Sequence, residues 1–257
     1  MVHWINWVSI FMLGTILGSF LTVCIHRIPQ GKSVVVPRSA CPGCGTQIAW
    51  YDNVPLWSFL WLRGRCRACH QAIPFRYPVI EIANGLGYLL VVWRFGWVWP
   101  TVIYAGLLSV FLVVTWIDWD HQIIPDVITL PGIIVGMLCA GLFLPTGWVN
   151  SLIGILVGGG VLLVLAWASP YIFGKEGMGG GDIKFLAMVG AFLGWKAALL
   201  ALMIASVVGA FFGIALLLAR VMERGQYIPF GPYLALGSLV AMLWGQEIWN
   251  WYFKGFI

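Results

Sequence analysis

Four aspartates carry the acid–base chemistry this sequence can offer. Asp118, Asp120 and Asp126 stand in "WIDWDHQIIPD", and Asp182 follows Gly179, Gly180 and Gly181 in "GKEGMGGGDIKF". Apolar runs flank both stretches, and an ionisable group near membrane depth is costly enough to be a functional suspect. Two carboxyls held close cannot both ionise comfortably, so a pair can offer a base and an acid to a water and a peptide carbonyl. Sequence separation leaves the proximity of Asp118 and Asp182 open. Plain structural readings stand beside this one. Asp126 follows Pro125 and precedes an apolar run, as a helix N-cap does. Asp120, next to His121, reads as a solvated interfacial charge. Asp182 could cap a helix, but a cap needs no run of three glycines. Such a run suits a backbone that must approach another chain closely or adopt positive φ. The stretch is not G-x-G-x-x-G and no strand precedes it, which argues against a nucleotide loop.

A second constellation lies upstream. "CPGCG" and "CRACH" place Cys41 and Cys44, then Cys66 and Cys69, in two C-x-x-C knuckles with 21 residues between them. Four thiolates so spaced can close a tetrahedron around zinc, with no position left for a reacting water, so the expected role is structural. Gly43 and Gly45 permit the tight turns. Two disulfides or four free thiols are the alternatives, and a cytoplasmic location disfavours the disulfides. His70 is either a substitute ligand or a surface histidine. Cys24 and Cys139 lie in apolar runs and read as small core residues.

The elements that must position these groups are apolar. The chain of 257 residues is 61% hydrophobic and 9% charged, too few charges to cover a soluble surface. Long apolar runs predict an all-α polytopic membrane protein with about eight spans, near 4–25, 79–96, 99–117, 127–144, 149–169, 183–194, 197–219 and 232–250. The sixth is short enough to be broken or re-entrant. No run of alternating ten-residue segments suggests a barrel. The first span has neither a basic leader nor a clear cleavage site and reads as retained. The formal charge of +5 is spent on orientation, not on nucleic acid. Arg27, Lys32, Arg38, Arg63, Arg65, Arg67 and Arg76 put the first loop in the cytoplasm and the N-terminus outside. With eight crossings Lys175, Lys184, Arg220 and Arg224 join that side, leaving Arg94, Lys196 and Lys254 opposite. The expected domains are a first helix at 1–25, a zinc-binding cytoplasmic domain at 26–78 and a membrane domain at 79–257. The cysteine loop, "DWDHQIIPD" and the glycine loop then share one face.

In order along the chain run "GSFLTVCIHRIP" (18–29), the double C-x-x-C, "RYPVIE" (76–81), "IDWDHQIIPD" (117–126), "GKEGMGGGDIKFLAMVGAFLGW" (174–195) and "IPFGPYLALG" (228–237). Together they resemble the type IV prepilin peptidases, membrane aspartic proteases with a G-x-G-D motif, over nearly the whole chain. The resemblance implies a bacterial inner-membrane enzyme. It would cut the short basic leader from prepilins and pseudopilins after a glycine, on the cytoplasmic face. It would then N-methylate the new terminal residue with S-adenosylmethionine. The family's catalytic aspartates fall on Asp118 and Asp182. The cysteine domain is linked with the methylating half.

Around that pair, Gly179, Gly180, Gly181 and Lys184 are the expected substrate contacts. Glu81, at the entry of the second span, is expected either to meet the new amine or to pair with Arg76. Glu81, Glu176 and Glu223 are the acids available to a basic leader, while the basic loop itself can meet anionic lipid heads. The family pattern G-S-F-x-N-V is broken by Thr22 in place of Asn, which puts a substrate-contact role there in question. A proton- or ion-coupled transporter with a regulatory zinc loop is the competing reading. It calls for internal symmetry between halves, which the sequence lacks. A membrane anchor with the cysteine loop as a binding module would leave the aspartates without a purpose.

Overall fold

The computed structural model describes residues 2–173, 178–219 and 228–254. Lys175, Glu176, Arg220, Glu223 and Arg224 lie outside the described residues. Among those described, regular structure is helical, and the only extended pairings are isolated bridges, Ala40 with Gln47 and Arg65 with Ala72. A helix stands at each expected span: α1 (Val2–Arg27), α3 (Arg76–Phe95), α4 (Trp99–His121), α5 (Asp126–Leu142), α6 (Gly147–Phe173), α7 (Gly180–Leu193), α8 (Trp195–Leu218) and α9 (Gly231–Lys254). One short helix, α2 (Trp57–Trp61), was not expected. Among the described residues, four segments are long and apolar enough to cross a membrane: Trp4–Gln30, Trp99–His121, Gly147–Tyr171 and Trp195–Leu218.

The chain forms two compact units, Met1–Val113 and Val114–Ile257. In the first, α1 packs along α3 and a chain of buried polar groups fastens the helices. Asn84 Nδ2 donates to the Gly14 carbonyl at 2.7 Å, and Ser109 Oγ donates to Asn84 Oδ1 at 2.8 Å. Tyr88 and Ser109 share a further hydrogen bond at 3.1 Å. Where lipid is as apolar as the side chains, such bonds and close packing supply the association.

In the second unit α7 is buried on all sides, from Phe185 to Phe192. Its 14 residues rise about 21 Å, less than the ~30 Å hydrocarbon core. A helix that short is tolerated where protein surrounds it. At its crossing with α6, Gly154 and Gly190 meet backbone to backbone, and a Cβ on either would strike the other's carbonyl.

The ends of these helices differ from expectation at two aspartates. Asp126 is not the cap of α5. Pro125 occupies that position with extended backbone, and Asp126 is the first helical residue. Asp182 is not the cap of α7 either. Gly179 holds that place, and Asp182 is the third residue of the helix. The Asp126 carboxylate is turned to a tertiary partner, Lys184, whereas the Asp182 carboxyl reaches back to the backbone N–H of Gly179 at its own helix end while also facing Asp118.

Candidate functional site

Asp118 lies in the last turn of α4, which ends where Gln122 takes positive φ (55°) and donates its N–H to the Asp118 carbonyl at 2.9 Å. Asp182 lies in the first turn of α7. Both carboxyls are buried, each 4% exposed, and they are near enough to interact electrostatically. The structure thus brings together two groups that lie 64 residues apart. A third segment joins them. The backbone N–H of Gly231, the first residue of α9, donates to Asp118 Oδ2 at 2.8 Å. Asp118 therefore sits at the positive end of α9, and Asp182 in the positively polarised first turn of α7. Gly231 belongs to the stretch "IPFGPYLALG", in which nothing local distinguishes it. Its partner is 113 residues away, and no local signal announces such a bond.

The three glycines before Asp182 have separate situations. Gly179 caps the helix. A Cβ on Gly180 would meet nothing within 4 Å, whereas one on Gly181 would lie 2.9 Å from Ile124 Cβ and 3.2 Å from the Ile124 carbonyl oxygen. Gly181 therefore lets the start of α7 press against the turn between α4 and α5. Lys184, the next basic group, bonds both carboxylate oxygens of Asp126 at 2.7 Å. That exposed pair ties the same two elements from outside. Asp120 and His121 are exposed, as expected for interfacial groups.

The cysteine loop forms a separate cluster in the first unit. Cys41 N–H donates to the Thr46 carbonyl, and Gly45 N–H to the Cys41 carbonyl, both at 2.9 Å. The second knuckle repeats this, with Cys66 N–H to Gln71 at 2.9 Å and His70 N–H to Cys66 at 3.0 Å. Gly45 (φ 70°) and His70 (φ 58°) are equivalent residues in the left-handed region. His70 thus shapes the turn and is not one of the clustered donors.

The sulfurs of Cys41, Cys44, Cys66 and Cys69 all lie within 4.8 Å of one another, and Cys41 Sγ is 3.7 Å from Cys69 Sγ. Sulfurs at 2.3 Å from a central zinc would stand about 3.8 Å apart, so the donor set fits. All four are free thiols. Hydrogen bonds with Thr46 draw the Cys44 thiol down to about 6. At Cys69 the Gln71 backbone bond works downward too. Desolvation and the neighbouring cysteines outweigh it and push that thiol up to about 11. Crowded thiols resist further ionisation, and a divalent cation relieves that resistance.

Glu81 is buried near the start of α3. Its Oε2 accepts the Leu56 N–H at 2.9 Å, and the Ser19 hydroxyl is a second partner. Leu56 precedes α2 and is held at φ 60°, ψ −48°, a sparsely populated conformation for a residue with a Cβ. Thr22 is buried in α1, its hydroxyl donating to the Ser19 carbonyl at 2.7 Å.

Comparison with known proteins bears on both units. The profile of the bacterial Peptidase A24 N-terminal domain matches residues 12–95, and that of the type IV leader peptidase family matches residues 105–214. A protein from Aeromonas hydrophila is 39% identical over 280 residues, which cover 99% of this chain and 96% of that one. One from Pseudomonas aeruginosa is 38% identical over 270 residues, covering 95% and 93%. One from Myxococcus xanthus is 42% identical over 212 residues, covering 82% and 63%. Each of the three is named prepilin leader peptidase/N-methyltransferase. No solved structure matches.

Proposed function

Because the chain belongs to the type IV leader peptidase family, we propose that it cleaves the leader from prepilins and pseudopilins with Asp118 and Asp182 as an aspartic dyad. One observation carries the reading. Two buried carboxyls from distant segments lie within electrostatic reach of each other, Asp118 in the last turn of α4 against the start of α9 and Asp182 in the first turn of α7. Asp118 Oδ2 is engaged by the Gly231 N–H, which leaves Oδ1 to take a proton from a water. That water attacks the scissile carbonyl carbon, while Asp182 gives the shared proton to the carbonyl oxygen. In the collapse of the tetrahedral species the C–N bond breaks, the proton held by Asp118 passes to the leaving amine, and one hydroxyl of the former carbonyl carbon returns its proton to Asp182, restoring the singly protonated pair. Positive helix ends favour the negative charge that develops on the way.

Gly179, Gly180 and Gly181 are proposed to let the substrate backbone approach Asp182, with Lys184 at the rim. Such a substrate brings a transmembrane N-terminal helix, so the site belongs at the cytoplasmic face of an inner membrane that the chain crosses about eight times. The N-terminus would lie outside. Domains at 1–25, 26–78 and 79–257 follow from this topology.

Methyl transfer to the new terminal residue is proposed on the name the relatives share. S-adenosylmethionine would supply the methyl group. Glu81 is proposed to serve this half. A carboxylate has about four acceptor positions, so two hydrogen bonds still leave it able to meet an ammonium. Cys41, Cys44, Cys66 and Cys69 would hold a structural zinc that sets the fold of the loop and takes no part in the chemistry.

The test is incubation of the purified chain with a prepilin and S-adenosylmethionine, then mass spectrometry of the product N-terminus. Asp118→Asn and Asp182→Asn are each expected to abolish cleavage in a protein that still folds. Retained cleavage in either variant would remove that residue from the dyad.

A further inference from the structure

The helix α2 is built inside out. In Trp57-Ser58-Phe59-Leu60-Trp61 the buried residue is the polar one. Ser58 is 7% exposed, and its hydroxyl donates to the carbonyls of Val54 (2.7 Å) and Tyr51 (3.2 Å). Trp57, Leu60 and Trp61 follow the i, i+3, i+4 spacing that puts side chains on one helical face. They are 65%, 71% and 71% exposed. A small domain facing water on every side would bury two tryptophans and a leucine and leave the serine outside.

Two contacts fix where this face lies. Leu56, directly before α2, donates its N–H to Glu81 at 2.9 Å. Glu81 is five residues into α3, about 7.5 Å along the helix. Phe59 packs edge-on against Phe75, with ring centroids 6.1 Å apart, and α3 begins at the next residue. Beyond its first turns α3 carries a long apolar stretch. So α2 is fastened to the polar end of that helix, at the level where tryptophan partitions to the boundary between headgroups and hydrocarbon.

Charge selects the kind of surface. Immediately after α2 come Arg63, Arg65 and Arg67. Arg67 is paired with Asp52 at 2.6 Å. The three arginines, with Leu62, Cys66 and His70, line a cleft of about 530 Å³. Guanidinium groups beside an exposed apolar face match a phosphate layer over hydrocarbon.

We propose that Trp57, Leu60 and Trp61 form an interfacial anchor that beds the cysteine domain on an anionic lipid surface, with Arg63 and Arg65 meeting headgroup phosphates. The inference rests on the chain being a membrane protein and not on the aspartate dyad, so the two can fail separately. By holding α2 against the bilayer, the anchor would keep the metal loop beside the point where α3 enters the membrane.

The test places the photo-crosslinker p-benzoylphenylalanine at position 60 of the full chain. That residue is itself apolar and aromatic, so it preserves the character of the face. Purified protein is reconstituted in vesicles of phosphatidylcholine alone or of phosphatidylcholine with phosphatidylglycerol, irradiated, and read by intact-mass spectrometry. Phospholipid adducts are expected, several-fold more abundant with phosphatidylglycerol. The excess should be lost in the Arg63→Gln/Arg65→Gln variant. Metal content and cleavage activity, measured alongside, report that the rest of the chain is intact. A crosslink to a second copy of the chain overturns the proposal, as does the absence of lipid adducts in both membranes. Equal adducts in the two vesicle types overturn it as an anionic-surface site.

Discussion

Replacing Gly231 by Ala isolates the geometry of the dyad from the fold that carries it. A Cβ at position 231 would lie 2.7 Å from Asp118 Oδ2, 2.9 Å from its Cγ and 3.0 Å from its Cβ. Ordinary contacts of this kind are about 3.5 Å, so the carboxylate must retreat by roughly 0.7–0.8 Å. The Gly231 N–H bond, 2.8 Å in the native site, would then stretch past the range of a useful hydrogen bond. The two closest atoms belong to the carboxyl group, which can swing aside, and the Cβ contact at 3.0 Å is relieved by a shift of a few tenths of an ångström, so the helices should stay close to where they are. A displacement of about 1 Å at a reacting group costs on the order of 10²-fold in rate, equivalent to about 2.7 kcal/mol of transition-state stabilisation. Gly231→Ala is therefore expected to lower kcat for prepilin cleavage about 10²-fold while KM moves by less than about threefold. Steady-state cleavage of a purified prepilin in mixed micelles measures both, and a thermal melt checks that the protein is folded. A folded variant with kcat within about threefold of wild type would refute the reasoning, because Asp118 would then tolerate the loss of its backbone donor.

The glycine run gives a sharper comparison on the same assay. Gly180→Ala, whose Cβ meets no protein atom within 4 Å, should leave the thermal melt unchanged and raise KM for the prepilin if the substrate backbone passes there, whereas Gly181→Ala, driven against Ile124, should cost tenfold or more in kcat on order-of-magnitude grounds. The Lys184–Asp126 pair has side chains 39% and 54% exposed. Removing either partner should therefore change unfolding free energy by less than about 1 kcal/mol and progressively less as salt is raised. For the cysteine cluster, elemental analysis should find about one zinc per chain. Cys44→Ser or Cys69→Ser should lose it and open residues 26–78 to limited proteolysis. Zinc retained in both serine variants would refute four-sulfur coordination.

What could be read from the sequence followed the range over which each signal acts. The long apolar runs gave helices at all eight expected positions because apolarity and length are properties of a single segment. The metal cluster was legible for the same reason, since each knuckle is closed by hydrogen bonds within six residues. Even there the choice of residue differed. Gly43 and Gly45 were expected to permit the tight turns and Gly45 does take the left-handed position, but the second knuckle has no glycine and puts His70, with its Cβ, in the equivalent place. Asp126 was read as a helix cap because Pro125 and an apolar run are local cues. Its actual partner, Lys184, lies 58 residues away.

The dyad makes the division clear. Asp182 drew attention through its glycines and Asp118 through its place at the end of an apolar run, and both signals are local. The group that fixes Asp118 is a backbone N–H, which every residue except proline possesses, so its type carries no information. What distinguishes position 231 is the lack of a side chain, and that lack matters only because Asp118 Oδ2 stands where a Cβ would have to go. The same holds for Gly181 against Ile124 and, in contrast, not for Gly180. Three adjacent glycines that look alike in sequence therefore separate into a helix cap, a position clear of protein atoms and a close contact. A glycine's role becomes visible only once the atom that fills the missing side chain's place is known.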